Sequence, residues 1–140
     1  MNNMHPLENN LAKRSVSPWL VFHIASLATF LVSIDTTVLY VAFHSIAKSF
    51  PEANPTSIAW VMNAYTIVYA TCLIPAGGLA DRYGRKRIFI LGVALFILAS
   101  VLCGLSPNIH TLIAARVVQA IGASFLGPAA LSLILEAFNK

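Results

Sequence analysis

What this 140-residue chain lacks most is charge: Asp, Glu, Lys and Arg together make up 10% of it, against about a quarter of an ordinary soluble domain. So few charges cannot clothe a water-facing surface when 58% of the residues are hydrophobic and the mean hydropathy is +0.77. Intrinsic disorder needs the opposite balance and is excluded. The net charge of +4 reflects scarce acids rather than a dense basic face, so no nucleic-acid partner is expected. Cysteine is nearly absent too. Cys72 and Cys103 both lie in apolar runs, which excludes a disulfide framework, offers no paired metal ligands, and reads as small apolar residues of a packed interior. His5, His23, His44 and His110 are scattered, with no nucleophile or metal spacing beside them. Neither an enzyme nor a resident metal or cofactor is expected.

Long apolar runs are what the chain has in abundance. A helix crossing a bilayer needs about 20 mostly apolar residues, and four segments qualify, at about 19–47, 58–80, 88–107 and 111–136. The expected fold class is therefore all-α, a polytopic membrane helical bundle, preceded by a polar tail over 1–18. The first run far exceeds the roughly 7–15 apolar residues of a signal peptide. Strands fit poorly, because the runs lack alternation and outlast a membrane strand of about 9–11 residues. Lys13, Arg14, Arg82, Arg85, Lys86, Arg87 and Lys140 fall on one side of such a bundle, and Lys48 alone on the other. This bias predicts a cytoplasmic N-terminus in a multi-pass protein of the cytoplasmic (inner) or plasma membrane, with the lipid bilayer as its first partner. Pro75 and Pro128 fall within spans and are expected to kink them. Ala123 and Gly127, four residues apart, should let the fourth helix pack closely on a neighbour.

Two charges interrupt the spans. Asp35 lies roughly 24 Å along the first helix from Trp19, still within a hydrocarbon core about 30 Å thick. A charge there costs roughly 2.5–3.5 kcal/mol, so it should face a partner or a wet cavity, where a carboxyl is able to take up and release protons. Arg116 lies roughly 8 Å below the outer surface, and Asp35 roughly 16 Å below the same surface. An ion pair is within the reach of an arginine side chain; snorkelling of Arg116 outward is the alternative. A third feature is the seven-residue link from Asp81 to Arg87. It demands a tight reversal with Gly84 supplying the permissive φ, and it leaves Asp81 free to cap or pair near the start of the third helix.

These residues carry a resemblance. Gly77-Gly-Leu-Ala-Asp-Arg-Tyr-Gly-Arg-Lys86 resembles the loop signature G-x-L-A-D-R-x-G-R-K of the major facilitator superfamily, between the second and third spans where that family has it. Leu112–Ala123 is similar to the family's fourth-helix motif R-x-x-Q-G-x-G, with Ala120 replacing the first glycine. Ile34–Ala42 is similar to the first-helix motif of the multidrug:proton antiporter branch with fourteen helices, with Tyr40 in place of its asparagine. The resemblance implies alternating access between two six-helix halves. It makes Asp35, Arg116 and Gln119 the proton-coupling or cavity residues. Gly77, Asp81, Arg82, Gly84, Arg85 and Lys86 become a cytoplasmic gate loop bracing the halves in one state.

The resemblance also implies that the chain is the N-terminal part of a proton-coupled exporter of drugs or other small molecules. Its partners would then be a small-molecule substrate, protons and the missing C-terminal helices, and the fragment would not be active alone. Each half of that fold is built from inverted three-helix repeats, so four spans supply one repeat and the first helix of the next. Two other readings stay open. One is a four-helix protein that oligomerises as a minimal exporter; the other is a non-transporting interaction protein or remnant.

Overall fold

The computed structural model describes residues 17–139, and over these the chain forms four helices and no strand. They are α1 (Pro18–Ser49), α2 (Pro55–Tyr83), α3 (Arg85–Gly104) and α4 (Ile109–Phe138). All four are long and apolar enough to cross a membrane. The tail as far as residue 16, with His5, Lys13 and Arg14, and Lys140 at the other end lie outside the described residues.

The helix ends differ from those that hydropathy suggests. Helix α1 covers Pro18–Ser49 rather than 19–47, α2 covers Pro55–Tyr83 rather than 58–80, and α4 covers Ile109–Phe138 rather than 111–136. Hydropathy marks where hydrocarbon ends, whereas a helix continues until its backbone finds a cap. Asn54 Oδ1 accepts from Thr56 N at 3.1 Å, and Pro55 supplies a preset φ at the first position of α2. Asn108 Oδ1 accepts from Thr111 N at 2.9 Å and from Thr111 Oγ1 at 3.0 Å, starting α4. Helix α3 begins at Arg85 and stops at Gly104 instead of spanning 88–107, because the residue before Pro107 is pushed out of the helical region. The expected seven-residue link is also shorter. Asp81, Arg82 and Tyr83 complete α2, Arg85 opens α3, and the chain reverses at Gly84 alone, with φ 98°.

Helix α4 is the hub. Of its most apolar stretch 44% is buried within the bundle, against 6% for α1, and each of the other helices packs on it. The main core is rich in alanine, with Ala25, Ala28, Ala80, Ala120, Ala123, Ala129 and Ala130 set around Tyr65, Phe89, Phe96 and Leu126. In lipid the neighbours of a helix are as apolar as its own side chains, so close van der Waals approach over small residues drives association. The tightest approach is between α3 and α4: a Cβ on Gly122 would lie 2.7 Å from the Phe96 backbone nitrogen, and one on Gly92 would lie 3.0 Å from the Gly122 carbonyl oxygen. Gly127 lies against Tyr69 and Leu73 of α2. Pro75 and Pro128 sit inside unbroken helices.

A second cluster, built on Ile58, Val61, Ile109 and Leu112 with Leu39, Ile46 and Phe50 against it, closes the end where α1 stops and α4 starts. At the opposite end Trp19 and Phe22 of α1 meet Phe138 of α4, with ring centroids 5.7 and 6.3 Å away. The two helices therefore run antiparallel. Hydroxyls in the spans are satisfied by their own helix: Thr29, Thr36 and Ser100 donate to the carbonyls of Ala25, Val32 and Phe96 at 3.0, 3.1 and 2.9 Å.

Candidate functional site

Arg116 and Gln119 are one helical turn apart and so share a face of α4. That face points into the bundle: the two residues are 2% and 1% exposed, the most deeply buried polar side chains together with Ser124. A cation cannot stay there without compensation. Helix α1 supplies it. Arg116 Nη1 donates to Asp35 Oδ2 at 2.7 Å, a charge-assisted bond at its usual short length.

The second acidic oxygen is held as well. Gln119 Nε2 donates to Asp35 Oδ1 at 2.9 Å and to Ser100 Oγ of α3 at 2.7 Å. Gln119 Oε1 accepts from Arg116 Nη1 and, at 3.8 Å, from the Cys103 thiol. The amide thus uses its donors on the acid and its acceptor on the base, tying one to the other. Helix α2 contributes Tyr65, whose ring centroid is 4.1 Å from Arg116 Cζ, and Tyr65 is stacked in turn on Tyr69 with an interplanar angle of 3°. All four helices meet at this point. The pair is unequal in one respect: the Arg116 side chain is 3% exposed and that of Asp35 is 25% exposed. The carboxylate is therefore the member open to exchange with its surroundings, and the guanidinium is the fixed one.

The structure brings together Asp35, Arg116 and Gln119, and Arg116 turns inward rather than snorkelling. Tyr65 and Ser100 complete the cluster and carried no sequence signal of their own, since one aromatic and one serine are unremarkable in a span. Cys103, read from sequence as a plain apolar residue, is only half-buried and turns its thiol to Gln119. His23, His44 and His110 are exposed, and His23 Nδ1 bonds to its own helix at Trp19 O. No group of metal-ligating side chains occurs among the described residues.

The remaining candidates lie elsewhere. Arg82 is about 25 Å further along α2 than Tyr65. At that end Arg85 reaches across the Gly84 reversal to Asp81, with Nη2 3.3 Å and Nε 3.4 Å from Oδ1. The Arg82 guanidinium lies 5.7 Å from the Tyr83 ring centroid. Asp81, Arg82, Gly84 and Lys86 are exposed, while Gly77 is half-buried with its Cα side 3.9 Å from Pro128 Cβ, measured from a Cβ placed on it. An exposed ion pair of this kind contributes little to stability.

The family model described as Major Facilitator Superfamily matches residues 25–140. A methylenomycin A resistance protein of Streptomyces coelicolor is 41% identical over 119 residues, covering 84% of this chain and 25% of that protein. A second methylenomycin A resistance protein, from Bacillus subtilis, is 34% identical over 138 residues, covering 99% of this chain and 29% of that protein. A cephamycin export protein of Amycolatopsis lactamdurans is 41% identical over 117 residues, 84% of this chain and 24% of its own length. The chain thus spans about a quarter of the length of these relatives.

Proposed function

Since this multi-pass membrane chain belongs to the Major Facilitator Superfamily, a family of transporters rather than enzymes, we propose that it forms the opening helices of a proton-coupled exporter of small molecules. The resistance and export proteins it is similar to favour drug-like or antibiotic substrates. The observation that carries the coupling is the unequal ion pair, a quarter-exposed Asp35 against a buried Arg116. In an exporter cycle Asp35 takes a proton from one side, which cancels its attraction for Arg116. It gives the proton up on the other side, where the pair re-forms. Gln119, bonded to both, transmits that change to α3 through Ser100.

In this reading Gly77, Asp81, Arg82, Gly84, Arg85 and Lys86 form the cytoplasmic gate, with Gly84 and the Asp81–Arg85 pair setting its shape and the exposed cations left to grip the other half of the transporter. The N-terminal side is cytoplasmic, as the distribution of cations favours. The test is Asp35→Asn in the full-length protein. Export driven by a pH gradient should vanish while membrane insertion stays normal. Wild-type gradient-dependent efflux from that variant would remove Asp35 from the coupling.

A further inference from the structure

Two polar groups of the cluster are buried without a hydrogen-bond partner, Arg116 Nε and the Tyr65 hydroxyl. Tyr65 is 5% exposed, and its hydroxyl lies beside Thr36 without a partner at hydrogen-bond geometry. Thr36 already gives its own proton to Val32 O at 3.1 Å. What Tyr65 brings to the site is its ring, placed 4.1 Å from Arg116 Cζ and backed by the parallel ring of Tyr69 at 6.1 Å. A guanidinium donates only around its edge, and its faces are free to stack. Here Asp35 and Gln119 both take Nη1 at one corner of the edge, Nε is without a partner, and Tyr65 holds a face.

These two holds respond differently to a proton. The edge contact with Asp35 is an ion pair and weakens when the carboxylate is neutralised. The face contact depends on the ring's quadrupole and is indifferent to that event. Without it, a buried cation that has lost its counter-charge would swing toward water or another partner.

We propose that Tyr65 is a positioning residue whose ring clamps the Arg116 guanidinium in place, so that the cation stays beside Asp35 even after Asp35 has been protonated. This rests on the exporter reading, in which Asp35 carries the proton. A clamped cation keeps its field on the acid and drives the proton off again; a cation free to leave lets the acid keep it. The titratable groups sharing the site among the described residues are Tyr65 and Tyr69 from α2, Cys103 from α3 and Arg116 from α4, and Arg116 is the only cation of the set.

The experiment is an infrared pH titration of the full-length protein in lipid, following the carboxylic-acid C=O band that Asp35→Asn removes. Tyr65→Phe, which keeps the ring, should titrate with the wild type. Tyr65→Leu should hold the band to higher pH, by about one unit, a tenfold change in proton affinity. Pentafluorophenylalanine at position 65 keeps the shape and reverses the quadrupole; it should shift the band as leucine does, and it serves even where leucine disturbs folding. In an Arg116→Gln background neither change should shift the band further. An unmoved band in both ring-deficient variants, an equal shift in Tyr65→Phe, or a shift that persists without Arg116 would overturn the clamp. The band reports proton occupancy whether or not any substrate moves, so loss of the exporter reading would show separately, as wild-type efflux insensitive to a pH gradient.

Discussion

Asp35→Asn strands Arg116, and the structure sets how costly that is. The substitution removes the 2.7 Å ion pair but leaves a side chain of nearly the same shape. Breaking a buried pair by deleting one partner typically costs about 3–5 kcal/mol, because the other charge stays buried. Two contacts soften the loss here: Gln119 Oε1 still accepts from Arg116, and the Tyr65 ring still covers its face, the latter worth about 2 kcal/mol when desolvated. The expected destabilisation is therefore about 2 kcal/mol. Removing the stranded cation as well, in Asp35→Asn/Arg116→Met, should recover most of it. Arg116→Met alone should cost less than Asp35→Asn, since the carboxylate it leaves is 25% exposed and can be hydrated or neutralised. Reversible unfolding of the full-length protein in mixed micelles, run as a double-mutant cycle, measures this directly. A double variant whose loss equals the sum of the singles would refute the reasoning, because the two side chains would then be energetically independent.

Two more outcomes follow from geometry. Gly122→Val should destabilise by about 1–3 kcal/mol, because its Cβ would meet the Phe96 backbone at 2.7 Å and backbone cannot give way. Gly127→Ala, whose new methyl meets Tyr69 Oη at 3.7 Å, should be neutral in the same melting experiment. For orientation, single cysteines Lys86→Cys and Lys48→Cys are introduced after the native cysteines, Cys72 and Cys103 included, are replaced by serine. An impermeant maleimide applied to intact cells should label position 48 and spare position 86; the reverse pattern would invert the topology.

The four helices were legible because hydrocarbon imposes a length and a composition on whatever crosses it. Their ends were not, since Asn54, Gly84 and Asn108 decide these outside the apolar runs. The proximity of Asp35 and Arg116 could be estimated because helical rise converts sequence position into depth. Depth alone does not say which way a helix is rotated. For that reason Tyr65 and Ser100, which carry no charge to announce them, emerged only from the packed bundle. The crossing of Gly92 and Gly122 escaped for a related reason. Small residues recur throughout α3 and α4, and the pair that meets depends on the register of one helix against the other.

Helix α1 gives the acid a particular mechanical setting. Its buried residues are just Ala25 and Ala28, so within these helices little apolar area is forfeited if it tilts. The Asp35 carboxylate works as a mid-depth rivet joining a lightly seated rod to the post formed by α4. In the proposed cycle, neutralising the carboxylate there would loosen a whole membrane-length lever, gearing a single proton to a displacement far larger than itself.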